Sequence, residues 1–122
     1  MHVLVGVGAP DDSLTALERA VDRAAAAGDR LTVAVLAADR SPSAREALTD
    51  DVEAVLASAA VDATVRHVEG DAGSQLVDIA ESESFDEIVI GGGTTSPMGK
   101  IKIDATAEFV LLNAHTTVTL VR

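Results

Sequence analysis

The apolar positions change period repeatedly along the chain. HVLVGV, His2 to Val7, is a short β-branched run and predicts a strand. DDSLTALERAVDRAAAAG then sets Leu14, Leu17, Val21 and Ala24 at helical spacing, with Gly28 placed to end the helix. LTVAVLA, Leu31 to Ala37, predicts a second strand. SPSAREALTDDVEAVLASAA predicts a helix with Ser41 as N-cap and Pro42 at its first position. Its stripe is Ala44, Leu48, Val52, Val55 and Ala59. ATVRHVEG, Ala63 to Gly70, reads as a third strand, and SQLVDIAESE as a short helix burying Leu76, Ile79 and Ala80. DEIVIGGG is a fourth strand, DATAEFVLLNAH a helix with Ala107, Val110, Leu111 and Ala114 inward, and TVTLVR a fifth strand.

Strands that alternate with helices imply a mostly parallel sheet covered on both faces, with right-handed crossovers. No linker or repeat divides residues 1–122, so one domain is expected. In such sheets ligands sit beyond the carboxyl ends of the strands, where the strand order reverses. Two segments therefore matter: GAPDD after the first strand and GGGTTSPMGKIKI after the fourth. The second is long for a connection of this kind.

Charge narrows the partners. The net charge is −11, from 20 acidic and 9 basic residues, and Lys100 and Lys102 are the only lysines. Nucleic acid is not an expected partner, because that affinity comes from basic patches. The acidic, alanine-rich, lysine-poor composition fits a salt-rich cytoplasm, where screening makes self-repulsion cheap. No apolar run is long enough to span a membrane, and MHVLVGVGAPDD lacks the basic start of a signal peptide. A cytoplasmic location is expected. With no cysteine, disulfides and thiolate metal sites are excluded.

GGGTTSPMGK, Gly91 to Lys100, looks built to hold a phosphate, but fails two standard patterns. A P-loop requires glycine where Thr94 stands and a hydroxyl where Ile101 stands. A dinucleotide fingerprint requires glycine at Ser96. His2, His67 and His115 show no paired spacing for a metal and read as ordinary strand-end or surface residues. In PDDS, Asp12 or Ser13 reads as a helix cap in preference to a cation site. No nucleophile elbow is present, and GAPDDS does not reproduce the signature of ATP pyrophosphatases.

The element order, HVLVGVGAPDDSLTALERAV, VEGDAGSQLVDIAES and FDEIVIGGG followed by ATAEFVLLNAHTTVTLVR resemble the universal stress protein family over the whole chain. The resemblance implies an α/β three-layer sandwich whose five-stranded parallel sheet has order 3-2-1-4-5, with helices on both faces. It also implies ATP at the switch between strands one and four in members carrying G-x2-G-x9-G-[ST]. Here the first glycine of that motif is Gly91, the second falls on Thr94, the third on Asp104, and the hydroxyl on Ala105. The acidic residue that such members carry near the ribose falls on Gly8. Gly92, Gly93 and Gly99 leave backbone N–H groups for an anion nest, and Lys100 and Lys102 could meet a phosphate. Asp104 stands at the amino end of the last helix, a place that favours anions. It reads as an N-cap or as a built-in phosphate mimic, and either weakens ATP binding.

The resemblance further implies a symmetric homodimer through the fifth strand, with Val118, Thr119, Leu120 and Val121 at its interface. Such pairing would cover an edge strand that otherwise exposes unpaired backbone. The expected function is a non-catalytic, dimeric binding or interaction module in stress response, with an unidentified protein partner and weakened or lost ATP binding. The alternative is an ATP-binding switch using the Gly-rich loop, with slow hydrolysis or autophosphorylation.

Overall fold

The computed structural model describes residues 1–8, 12–36, 41–91, 94–95, 101–102 and 105–121. In order, the elements are β1 (His2–Val7), α1 (Asp12–Ala27), β2 (Arg30–Val35), α2 (Pro42–Ala57), β3 (Asp62–His67), α3 (Ala72–Ser82), β4 (Glu87–Gly91), β5 (Thr94–Thr95), β6 (Ile101–Lys102), α4 (Ala105–Asn113) and β7 (Thr117–Val121). The main sheet has five parallel strands in the order β3-β2-β1-β4-β7. The alternating sequence pattern and the expected 3-2-1-4-5 order both hold.

Alternation along each strand divides the core into two layers. Val3, Val5, Val7, Val33, Val35 and Val89 pack beneath α1 and α2, against Leu17, Val21, Leu48 and Val52. Leu4, Ala34, Ile88 and Ile90 pack on the opposite face beneath α3 and α4, against Leu76, Ile79, Ala107 and Val110. Burial on both faces explains why the central strands read as continuous β-branched runs without polar alternation. Leu111 departs from its expected inward place and is 40% exposed. Six of the nine residues of α4 are apolar, too many for periodicity to select its buried face.

Local signals set the helix ends. Ser41 Oγ accepts from the Ala44 N–H at 3.2 Å, and Pro42 opens α2 as expected. Gly28 adopts φ +77° and its N–H bonds the Ala24 carbonyl at 2.7 Å, closing α1 in a conformation that costs glycine little. Helix α3 starts two residues before SQLVDIAESE because Asp71 caps it, accepting from the Ser74 N–H at 3.0 Å. That hydrogen bond holds the Asp71 carboxyl below its usual pKa.

The amino end of the sheet is stitched together by polar contacts. The Met1 ammonium meets Asp29 at 3.1 Å, and the His2 N–H donates to Asp86 at 2.8 Å. The His2 ring lies 4.1 Å from the Phe85 ring, with its Nε2 3.0 Å from the Thr32 hydroxyl. Burial, then the nearby Arg30 guanidinium, lowers the His2 pKa below 6.5. The native state thus prefers neutral His2, and this contribution is present above the unfolded pKa and lost as pH falls through the lowered value. Urea unfolding at constant salt should therefore show stability falling between pH 7.5 and 5, and His2→Gln should flatten that slope. Equal slopes in the two proteins would overturn the assignment.

Candidate functional site

Strand order reverses between β1 and β4, since β2 lies on one side of β1 and β4 on the other. The carboxyl ends of these strands carry Gly8 and Gly91. Gly6 is in register with Ile90, so the two strand ends lie side by side. Helix α4 runs back from this pole, placing the exposed Ala105 at its amino end. Between them, Thr94 pairs with Lys102 and Thr95 with Ile101 in a small antiparallel hairpin. The long segment that the sequence presents as one loop thus pairs its two arms with each other. The structure brings Gly8, Gly91, Thr94 and Ala105 to one pole of the sheet. Gly92, Gly93, Lys100 and Asp104 lie outside the described residues.

Gly8 has a specific steric reason to be glycine. A Cβ built there would stand 2.8 Å from the Leu36 carbonyl oxygen and 2.9 Å from the Leu36 Cβ. The cause is the adjoining ladder, which extends beyond the regular strands: the Leu36 N–H donates to the Val7 carbonyl at 2.7 Å. The main chain of Leu36 is thereby fixed beside Gly8. Any side chain at Gly8, an acidic one included, would collide with backbone, which cannot move aside as a rotamer can.

The histidines are accounted for by local contacts. His67 Nε2 lies 3.1 Å from Thr49 Oγ1, whose hydroxyl donates to the Arg45 carbonyl at 2.9 Å. A hydroxyl already donating must accept from the ring, so this contact places the proton on His67 Nε2. His115 Nδ1 meets Glu81 at 2.7 Å, and this bond lowers the Glu81 pKa. Among the described residues there is no group of three or more His, Asp or Glu side chains able to hold a metal ion. No helix among them is long and apolar enough to cross a membrane.

A second recess lies at the β7 edge, between that strand and α1. It is a groove of about 730 Å³ bordered by Arg19, Ala20, Arg23, Val89, Thr119 and Val121. Next to it, Glu87 is buried, and its Oε2 accepts from Arg23 Nη2 at 2.9 Å and from the Thr119 hydroxyl at 2.7 Å. The interface residues expected from sequence fall on this strand. Val118 and Leu120 face the α4 layer, and Val121 belongs to the α1 layer. The Arg23–Glu87–Thr119 triad escapes sequence reading because its members are 64 and 32 positions apart. The available signal was a charged residue heading an otherwise apolar strand, EIVIG.

The model of the universal stress protein family matches residues 1–122. No curated protein sequence matches the chain. Solved structures give the same picture of the fold. A universal stress protein from Archaeoglobus fulgidus is 19% identical, with all of this chain and 98% of that one covered at a TM-score of 0.76. A universal stress protein in complex with cAMP is 26% identical, with coverage of 100% and 96% and a TM-score of 0.75. A family member from Arabidopsis thaliana with AMP bound is 13% identical, with coverage of 98% and 90% and a TM-score of 0.61.

Proposed function

Because this chain belongs to the universal stress protein family, we propose that it serves stress response as a dimeric, non-catalytic binding module whose affinity for ATP is weakened. The observation that carries this reading is the collision awaiting any side chain at Gly8, beside the strand switch where the resemblance places a ribose. No carboxylate can anchor a sugar from that position while Leu36 keeps its path. The amino end of α4 adds a second obstacle in sequence, Asp104, where a negative side chain opposes a triphosphate. Relatives solved with cAMP and AMP make a nucleotide the first ligand to test.

The dimer is argued from the β7 edge. Strand β7 pairs with β4 on one side, and no strand among the described residues covers its other edge. On the α4 face of this strand, Val118 and Leu120 are only half-buried. A second copy adding its own β7 would satisfy the backbone and cover this apolar strip. The chain as a whole is the expected interaction unit, a single domain of residues 1–122 with a cytoplasmic role.

The chain contains no Trp or Tyr, so adenine retained through purification dominates its near-ultraviolet absorbance. Protein purified in concentrated potassium chloride with magnesium should release no stoichiometric nucleotide on precipitation. Titration with ATP should give little heat. The double substitution Asp104→Gly with Ala105→Ser should tighten ATP binding about tenfold, equivalent to ~1.4 kcal/mol. Stoichiometric ATP in the unmodified protein would replace this reading with the nucleotide switch, for which Gly91–Gly93 and the two lysines supply donors.

A further inference from the structure

The groove between α1 and β7 reverses the charge of the chain locally. The molecule carries −11 overall, yet Arg19 and Arg23 stand one helical turn apart on the same wall. Arg23 is held by Glu87, whereas among the described residues Arg19 makes no ion pair. We infer that the dimer proposed above binds a small divalent oxyanion across its two-fold axis, between Arg19 and Arg23 of both copies. The inference rests on the β7 pairing and deepens it.

Geometry carries the step from one groove to a shared site. Antiparallel pairing of an edge strand with its own copy requires a two-fold axis perpendicular to the sheet. Both α1 helices then stand on the same side of the continuous sheet. Helix α1 packs chiefly over β1 and β4 and only lightly on β7, with the groove beside it. Two β7 strands would therefore lie between the two helices. With strands ~4.8 Å apart, the helix axes are separated by roughly 19 Å. Arginines reaching inward from each wall face one another across this trough. The two grooves become one cleft with four guanidinium groups above two Glu87 carboxylates, each already engaged by Arg23 and Thr119.

The chemistry selects the ligand class. Guanidinium groups bind tetrahedral oxyanions through paired N–H donors, and the cleft retains a positive balance of two. Without an anion the two Arg19 groups repel each other and oppose association. An anion that fits only the completed cleft binds the dimer and not the monomer, so it must tighten association.

Sedimentation equilibrium tests this at constant ionic strength, with potassium chloride partly replaced by inorganic phosphate or sulfate. The dimer dissociation constant should fall about tenfold in the unmodified protein. Arg19→Gln should still dimerise but lose that response. Among the described residues this exposed side chain has no ion-pair partner to strand, so the variant should fold. It also controls for sulfate's general promotion of burial, which would act equally on both proteins. A dimer indifferent to the anion overturns the shared site and leaves the β7 dimer standing. The same overturning follows if Arg19→Gln responds like the parent. A monomer in every salt overturns the dimer and the anion site together.

Discussion

Arg23→Ala should lower unfolding stability by about 2 kcal/mol, the largest effect expected from any surface-reaching side chain in the protein. The loss arises at Glu87, not at Arg23. The Glu87 side chain is 7% exposed and stands at the head of a central strand. Removing the guanidinium leaves its carboxylate with the Thr119 hydroxyl as its one remaining side-chain hydrogen-bond donor among the described residues. Fully enclosed pairs lose about 3–5 kcal/mol when broken, but Arg23 is 43% exposed, so water can partly replace it. Glu87→Gln should cost less, because its amide oxygen can still accept from both donors. The double substitution Arg23→Leu with Glu87→Leu should recover most of the loss, since no charge then remains buried. Urea unfolding of the parent, Arg23→Leu, Glu87→Leu and the double variant completes a double-mutant cycle. If Arg23→Leu and Glu87→Leu are simply additive, the pair has no coupling and the account is wrong.

Gly8→Asp should cost about 2 kcal/mol and fail to improve ATP binding, although it supplies the acidic residue that the resemblance associates with ribose recognition. The new Cβ would meet the Leu36 carbonyl oxygen at 2.8 Å, with the Leu36 Cβ almost as near. Trimming Leu36 to alanine leaves both atoms in place, and even Leu36→Gly retains the carbonyl. The strain must instead be relieved by opening the bond from the Leu36 N–H to Val7. Calorimetric titration with ATP, alongside urea unfolding, separates the two effects. A stable Gly8→Asp protein that binds ATP more tightly would show that the Leu36 segment yields readily, and the weakened-binding reading would lose its main support.

How far the sequence reaches depends on the range of the interaction concerned. Central strands and helix ends follow from neighbouring residues: the run Val3–Val7, the Ser41–Pro42 start of α2 and Gly28 at the end of α1 are all local signals. Strand order required the family resemblance, because apolar alternation alone does not say which strand lies beside which. The approach of Leu36 to Gly8 was invisible, since it joins the ends of two strands through main-chain atoms. The hairpin within the glycine-rich segment also escaped, because two residues per strand are too few to establish a period. Leu111 misled for the opposite reason: in so apolar a helix, composition outweighs the spacing signal. The strand switch itself was legible, but the crowding of Gly8 by Leu36 was not.

The hairpin formed by β5 and β6 has a consequence for controlled cleavage of the chain. Both lysines lie in this one arm between β4 and α4. A lysine-specific endoprotease therefore has a single region to cut, yielding one fragment with β1 to β4 and another with α4 and β7. The contacts that join the second fragment to the first are the β4–β7 ladder, the packing of α4 on α3 and the Thr119 hydrogen bond to Glu87. Together the two fragments carry every strand of the main sheet. Reassociation of the fragments would report how firmly the edge strand is held, without altering any core residue.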